Sequence, residues 1–297
     1  RYTVMKDGSS VCSGMVSDVS NDDIVRLMVG RELQNRFNAM KENVSNLAHE
    51  TVFEVRNVTS RDRKKVRDIS FSVCRGEIVV FAGLVGSGRT ELMNCLFGVD
   101  KRAGGEIRLN GKDISPRSPL DAVKKGMAYI TESRRDNGFF PNFSSAQNMA
   151  ISRSLKDGGY KGAMGLFHEV DEQRTAENQR ELLALKCHSI NQNITELSGG
   201  NQQKVLISKW LCCCPEVIIF DEPTRGIDVG AKAEIYKVMR QLADDGKVIL
   251  MVSSELPEII TVCDRIAVFC EGRLTQILTN RDDMSEEEIM AWALPQE

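Results

Sequence analysis

The chain has 297 residues, of which 41% are hydrophobic and 27% are charged, a balance typical of a globular protein with a packed core. Its net charge of −3 argues against a broad basic surface, so no nucleic-acid partner is expected. The longest apolar runs, Ile78–Val85 and Val248–Val252, have the length of a strand, whereas a membrane-spanning helix needs roughly 20 residues. Any link to a membrane is therefore expected to pass through another subunit.

The start of the chain resembles its end. RYTVMKDG (Arg1–Gly8) aligns with RIAVFCEG (Arg265–Gly272), and SNDDIV (Ser20–Val25) aligns with SEEEIM (Ser285–Met290) after a one-residue slip. Both stretches predict a strand, a charged turn, a second strand and the capped start of an acidic helix. Such a repeat predicts two copies of one domain in the parent protein.

This repeat sets the predicted domain boundaries. Residues 1–36 are expected to be the C-terminal tail of a preceding, mostly missing domain. Residues 37–50 are polar and are expected to link the two domains. The surviving domain is expected to occupy residues 51–297.

A glycine-rich loop follows the first predicted buried strand of this domain. The strand is Glu77–Ala82, the loop is GLVGSGRT (Gly83–Thr90), and residues of helical composition follow it. Strand, glycine loop and helix in this order are the setting of a phosphate-binding loop, in which backbone N–H groups and the helix N-terminus face phosphate oxygens. Taken alone, the loop leaves open a second reading as a structural glycine turn.

The loop supplies the candidate nucleotide-binding residues, which are Gly83, Gly86, Ser87, Gly88, Arg89 and Thr90. Thr90 is placed to offer its hydroxyl to Mg²⁺. Arg89 stands where such a loop usually has lysine. Arginine keeps the positive charge but is longer and planar, so nucleotide binding is expected to survive while hydrolysis at this loop suffers.

Two further motifs carry candidate catalytic residues. The apolar strand Glu216–Asp221 ends in a carboxylate, which is expected to hold Mg²⁺ through water, and Glu222 beside it is expected to orient and deprotonate the attacking water. Between the two strands, Ser198, Gly199 and Gly200 open a predicted helix and form a second anion cradle. A phosphate loop and a separate cradle suggest that nucleotide is bound between two domains.

These motifs together resemble those of the ATP-binding cassette (ABC) proteins, because LSGGNQQ looks like their signature motif beside the phosphate loop and DEPTRGID. The resemblance covers Thr51–Glu297 nearly end to end. It implies an α/β fold of the P-loop NTPase type, with a mixed-sheet core and an α-helical subdomain at about residues 140–210. It also implies ATP and Mg²⁺ as ligands and a head-to-tail pair of such domains.

Four places depart from the family's pattern. Arg89 replaces the loop lysine. Glu132, after the predicted strand Met127–Thr131, stands where the family usually has a glutamine that contacts Mg²⁺ and the transmembrane partner. Ser254 replaces a histidine that grips the γ-phosphate, and Ser60–Lys64 lacks the aromatic residue that the family stacks on adenine. The site on this loop is therefore expected to bind nucleotide and turn it over slowly or not at all.

The motifs GLVGSGRTEL, TESRRDNG, LSGGNQQK, EPTRGIDVGAK and SSELPE resemble those of the second cassette in tandem-cassette sugar importers. Such proteins serve ribose, galactose, xylose, allose and similar sugars, and couple ATP hydrolysis to import. The resemblance implies three partners: a preceding cassette of the same polypeptide, transmembrane permease subunits and, indirectly, a periplasmic sugar-binding protein. It implies a peripheral location on the cytoplasmic face of the bacterial inner membrane.

In a head-to-tail pair, Ser198, Gly199 and Gly200 would close over ATP held by the missing cassette. Two alternatives stay open. One is a non-hydrolysing structural or regulatory partner domain, which the four departures favour. The other is a soluble cassette ATPase that acts on DNA or the ribosome, which the acidic composition disfavours.

Overall fold

The computed structural model describes residues 1–6, 9–16, 50–157, 169–281 and 283–295. The predicted linker up to residue 49 and the first acidic helix start, Ser20–Val25, lie outside these described residues. Among the described residues, no helix is both long enough and apolar enough to cross a membrane.

Within these ranges the chain forms both strands and helices. The strands are β1 (Tyr2–Lys6), β2 (Ser9–Gly14), β3 (Thr51–Ser60), β4 (Ile69–Cys74), β5 (Ile78–Gly83), β6 (Arg102–Leu109), β7 (Lys112–Asp113), β8 (Met127–Ile130), β9 (Val217–Asp221), β10 (Val248–Val252), β11 (Arg265–Cys270) and β12 (Arg273–Thr279). The helices are α1 (Arg89–Phe97), α2 (Pro119–Lys124), α3 (Ser145–Asp157), α4 (Glu169–Leu182), α5 (Gly199–Leu211), α6 (Val229–Asp244), α7 (Leu256–Val262) and α8 (Glu286–Ala293). A π-turn (Arg134–Gly138) and a short 3-10 turn (Ile194–Glu196) complete them.

The two ends of the chain form the same kind of hairpin. Strands β1 and β2 pair antiparallel, as do β11 and β12. The register of the first hairpin shifts between Val4 and Met5, and that of the second shifts between Val268 and Phe269. These positions correspond in the sequence alignment of the two ends, so the internal repeat extends to the site of a β-bulge.

A six-stranded sheet forms the centre of the main body, in the order β12-β11-β5-β10-β9-β8. Strands β11, β5, β10, β9 and β8 run parallel, and only β12 is antiparallel. A second, antiparallel sheet has the order β4-β3-β6-β7. The predicted mixed sheet is confirmed. Its strands β5, β9 and β10 are apolar apart from Gly83 and Asp221 at the ends of β5 and β9, because both faces of these strands are covered.

Alternate residues of these strands enter two different cores. Val79 and Phe81 pack with residues of the four-stranded sheet and α1. Val80 and Ala82 pack on the opposite face, with residues of α6, α7 and α8. Because side chains alternate along a strand, one apolar run supplies both layers.

A separate helical layer lies over the β8 edge of the chain's main sheet. Helix α5 packs against α3 and against β8, and α4 packs on α3. This layer has its own core, in which Phe139, Met149, Ile194 and Leu206 are buried. Its described helices fall within, or slightly beyond, the predicted range of about 140–210.

Candidate nucleotide site

The predicted phosphate loop and both candidate carboxylates meet at one edge of the central sheet. Strand β5 ends at Gly83, its neighbour β10 ends just before Ser253, and β9 ends at Asp221. Since these strands are parallel, their carboxyl ends lie side by side, which is where ligands bind in open α/β sheets.

Close backbone packing explains two glycines of the loop. A Cβ built on Gly83 would lie 2.4 Å from the carbonyl oxygen of Phe269, and one on Gly88 would lie 2.2 Å from that of Lys65. Gly88 also has a φ of 106°, in the region that favours glycine. At Gly86, by contrast, a Cβ would meet nothing within 4 Å. The loop is therefore held by its flanks and open at its tip.

Arg89, the first residue of α1, is engaged by the neighbouring strand end rather than by solvent. Its guanidinium donates to the backbone carbonyl oxygen of Ser253 and is buried. Burial lowers the pKa of Arg89, and the nearby charges of Glu222 and Asp221 oppose that shift. Arginine remains protonated in proteins, so Arg89 serves as the counter-charge to both carboxylates.

Thr90 and Asp221 lie together, as predicted. The Thr90 hydroxyl donates to Asp221 Oδ1 at 3.2 Å, and the Tyr129 hydroxyl donates to Asp221 Oδ2 at 2.8 Å. Burial raises the pKa of Asp221, while the hydrogen bonds from Tyr129 and Thr90 and the charge of Arg89 act in the opposite direction. Two hydrogen-bond donors, from α1 and β8, and the charge of Arg89 thus stabilise the ionised form of this buried carboxylate.

Removal of the Tyr129 hydroxyl tests this arrangement. Tyr129→Phe is expected to lower the free energy of unfolding by about 1 kcal/mol near neutral pH, because a buried carboxylate loses a donor. The same hydrogen bond lowers the pKa of Asp221, so the loss should shrink as acid protonates that carboxylate. Urea unfolding at several pH values measures both effects, and a loss independent of pH would contradict the assignment.

Glu222 follows Asp221 in a left-handed conformation. Its φ is 47°, which is uncommon for a residue with a side chain and marks stored strain at many functional sites. Its N–H donates to the carbonyl oxygen of Val252 at 2.9 Å, and the Ser254 hydroxyl donates to Glu222 Oε2 at 3.2 Å. Burial raises the pKa of Glu222, opposed by the hydrogen bonds from Ser254. Ser254 therefore holds the carboxylate that sequence predicts to orient water.

The loop and its neighbours fit a phosphate chain and a divalent cation. The hydroxyl of Ser87 is buried and has no hydrogen-bond partner among the described residues, which leaves it available to a ligand. A hydroxyl and a carboxylate oxygen, from Thr90 and Asp221, are ligands that Mg²⁺ accepts. The donor set thus matches the predicted ATP and Mg²⁺.

Glu132 is paired with an arginine of the segment after β9. It forms an ion pair with Arg225, three residues after Glu222, and among the described residues no hydrogen bond joins it to Thr90 or Asp221. Two residues further on, Arg134 Nη2 donates to the carbonyl oxygen of Gly226 at 3.2 Å. The segment after β8 is therefore tied to the segment after β9, and the role of Glu132 towards Mg²⁺ stays a prediction.

The second cradle sits at the start of α5. Ser198 precedes the helix, and its hydroxyl accepts from Asn201 Nδ2 at 2.9 Å instead of capping the backbone. A Cβ built on Gly200 would lie 2.5 Å from the Cβ of Ala231, so this glycine allows α5 to meet α6. In the described part of the chain, no hydrogen bond joins Ser198, Gly199 or Gly200 to the phosphate loop.

Three contributors to the site escaped the sequence analysis. In the sequence, Tyr129 is part of an apolar predicted strand, and no neighbouring residue indicates that its hydroxyl donates to Asp221. Ser253 acts through its backbone carbonyl, which has no sequence signature. Arg225 carries a charge within DEPTRGID, but its partner Glu132 is far away along the chain.

Comparison with known proteins agrees with this geometry. The sequence profile of the ABC transporter family matches residues 66–225, more than half of the chain. The D-allose import ATP-binding protein AlsA of Escherichia coli (strain K12) is 98% identical over all 297 residues, which are 58% of its length. The galactose/methyl galactoside import ATP-binding protein MglA of Fusobacterium nucleatum is 42% identical over 97% of this chain and 56% of its own. The chain thus spans less than two thirds of these relatives.

Solved structures show the same fold. An ATP-binding cassette of an ABC transporter aligns with a TM-score of 0.69 at 21% identity, covering 83% of this chain and 100% of that one. A nucleotide-free ATP-binding cassette aligns with a TM-score of 0.68 at 20% identity and the same coverage. These likenesses confirm the predicted fold class, a mixed-sheet core with an α-helical layer.

Proposed function

This chain belongs to the ABC transporter family, and on that premise we propose that it is the second ATP-binding cassette of a monosaccharide importer. D-allose or a related sugar is the proposed cargo, because relatives along the whole chain are named for D-allose, ribose and galactose import. The cassette would bind ATP and pass the resulting movement to a membrane permease.

One observation carries the proposal. The phosphate loop, Asp221 and Glu222 share one sheet edge, whereas the cradle of Ser198, Gly199 and Gly200 begins a helix of a different layer. A cradle that forms no hydrogen bond to its own loop, in the part of the chain that the structure describes, can serve nucleotide held by a second domain. The hairpin β1–β2 supports such a domain, since it shares its register shift with β11–β12.

The proposed partners follow from this arrangement. Residues 1–36 would be the tail of a preceding cassette, joined through residues 37–50 to a cassette over 51–297. Permease subunits would bind at the cytoplasmic face of the bacterial inner membrane, and a periplasmic sugar-binding protein would act through them. No nucleic-acid partner is proposed.

The chain's own residues divide the work at each site. Gly83–Thr90 would hold the phosphates, Thr90 and Asp221 would hold Mg²⁺, which neutralises phosphate charge, and Glu222 would orient water. Ser254 already donates to Glu222, and Arg89 is held by Ser253. Both engagements support a site that binds ATP and turns it over slowly, while the cradle completes the productive site of the companion cassette.

The second candidate is a non-hydrolysing structural or regulatory partner domain. The burial of Arg89 against Ser253 favours it, because a guanidinium so engaged is not free to follow a transferring phosphoryl group. The two candidates share the same fold and the same cradle. They differ only in whether the loop of this cassette ever releases phosphate.

A titration of the purified chain with Mg·ATP, followed by phosphate release over time, separates the candidates. We expect saturable binding with at most slow release. Glu222→Gln is the control, because it should leave binding intact and abolish any release that belongs to this site. Steady multiple turnover that depends on Glu222 would contradict the asymmetric arrangement. An absence of binding would contradict both candidates.

A further inference from the structure

A basic turn, residues Ser60–Arg67, forms one wall of the phosphate loop. The carbonyl oxygen of Lys65 lies against Gly88 so closely that no Cβ fits between them. The N–H of Arg67 donates to the carbonyl oxygen of Gly272 at 2.8 Å, and the N–H of Gly272 donates to that of Ser87 at 2.7 Å. The basic turn is therefore a direct neighbour of the loop, joined to it through backbone contacts.

An internal carboxylate fixes the shape of the basic turn. Asp62 Oδ1 accepts from the Ser60 hydroxyl at 2.5 Å and from the N–H of Lys64 at 3.0 Å. The Ser60 hydroxyl also accepts from the N–H of Val66 at 3.1 Å. Because these bonds are local and close the turn on itself, they keep its shape without the side chains of Arg61, Arg63 and Lys64. Arg67 Nε adds a further local bond, to the carbonyl oxygen of Lys64 at 2.9 Å.

Most of the positive charge in the basic turn has no acidic partner. Lys65 pairs with Glu91 at 3.1 Å. Arg61, Arg63 and Lys64 are exposed, and none of them forms an ion pair with any residue that the structure describes. Lys101 joins them, since the N–H of Arg61 donates to its carbonyl oxygen at 3.0 Å. The basic turn therefore carries more positive than negative charge, and such a surface beside a phosphate loop attracts polyanions.

Among the described residues that contact the loop and its helix, the aromatic rings are buried. Phe269 lies beside the loop and is fully buried. Phe97, on the helix itself, packs against Tyr129, and both rings are almost fully buried. Arg61 and Arg63 of the basic turn are exposed and carry planar guanidinium groups, which stack on any base because every base has a π-face.

We propose that the basic turn makes this site recognise nucleoside triphosphates through the phosphate chain, with little discrimination between adenine and other bases. This inference rests on the proposed nucleotide binding at Gly83–Thr90. All these nucleotides share the negatively charged triphosphate chain. The complementary positive charge comes from the basic turn and its neighbour, through Arg61, Arg63, Lys64 and Lys101.

Equilibrium titrations of the chain with Mg·ATP, Mg·GTP, Mg·UTP and inorganic tripolyphosphate test the proposal. We expect dissociation constants for the three nucleotides within about threefold of one another, since base stacking of this kind is tolerant of sequence. Tripolyphosphate should bind within about tenfold of them, because charge carries the recognition. Affinity for ATP more than about tenfold above that for GTP and UTP would overturn the inference alone. If no nucleotide binds, the proposed function fails with it.

A charge variant with a matched control gives the second arm. The double variant Arg61→Gln and Lys64→Gln is expected to raise the dissociation constants of all three nucleotides by about tenfold at low salt. Added salt should reduce this effect. The control, Lys112→Gln with Lys237→Gln, removes the same charge from exposed positions elsewhere and should change the affinities much less. An equal effect of both pairs, or a loss specific to ATP, would overturn the role of the basic turn.

Discussion

Gly88→Ala is expected to lower the free energy of unfolding by about 3 kcal/mol and to abolish nucleotide binding, whereas Gly86→Ala should cost only about 1 kcal/mol. Both glycines have a positive φ, 106° and 82° respectively, so both variants lose the freedom of that conformation. Only at Gly88 does the new methyl group collide with backbone. Its Cβ would stand 2.2 Å from the Lys65 carbonyl oxygen and 3.2 Å from the Cα of Gly272.

The collision cannot be relieved by a side-chain rotation. Lys65 belongs to the basic turn, whose shape is held by hydrogen bonds to Asp62. Gly272 donates a backbone hydrogen bond to the carbonyl oxygen of Ser87. Either the loop or both of its walls must move, and the loop would then lose the backbone arrangement that is proposed to bind phosphate. Gly86 is the matched control because it lies two residues away with open space around it.

Chemical unfolding and ATP titration of the two variants check the pair. Similar losses of stability would mean that left-handed backbone conformation, and not close packing, explains Gly88. Retained ATP affinity in Gly88→Ala would show that the loop tolerates displacement, and would contradict the assignment of the basic turn as a fixed wall.

Lys209→Met is expected to remove a rise in stability that the native chain shows at alkaline pH. Lys209 lies on α5, is buried, and donates to the carbonyl oxygen of Gly138 at 2.5 Å, with the Trp210 ring 4.9 Å away. Burial lowers its pKa from 10.5 to about 8, and the nearby Cys213 slightly opposes the shift. The folded chain therefore binds fewer protons at this group than the unfolded chain does.

The sign of the effect follows from that difference. Below about pH 8 the ammonium is both charged and buried, so the desolvation of that charge lowers the free energy of unfolding by its full amount. Between about pH 8 and 10.5 the unfolded chain still binds the proton while the folded chain has released it, so stability rises with pH. Between about pH 7 and 9.5, the free energy of unfolding of the native chain should rise by about 2 kcal/mol relative to that of Lys209→Met.

Urea unfolding of both chains across this range measures the difference. Lys237→Met, at an exposed position, controls for the loss of one positive charge. A constant gap between the native chain and Lys209→Met at all pH values would contradict the burial of a charged ammonium. Because Gly138 ends the π-turn that carries Arg134, this bond also holds the helical layer to the segment after β8.

The sequence alone predicted which loop and which carboxylates meet at the candidate site, but not how their neighbours engage them. The apolar strands, the glycine loop and the Asp221–Glu222 pair could be predicted because each is a local pattern: a buried strand, a turn that needs glycine, and carboxylates at a strand end. The observed parallel order then brings Thr90 to Asp221, at 3.2 Å. The predictions that Ser198, Gly199 and Gly200 serve another domain, and that Glu132 serves Mg²⁺, stay predictions.

Tertiary structure decided which groups act on these residues. The strand order places Tyr129 where its hydroxyl donates to Asp221. Backbone carbonyl oxygens make the other two contacts: that of Ser253 accepts from Arg89, and that of Lys65 lies against Gly88. Sequence motifs record side-chain types at fixed spacings, whereas backbone groups are alike at nearly every residue. The sequence therefore determined which side chains stand at the candidate nucleotide site. Only the packing of the sheet edge determined how Arg89 is engaged and why Gly88 must be glycine.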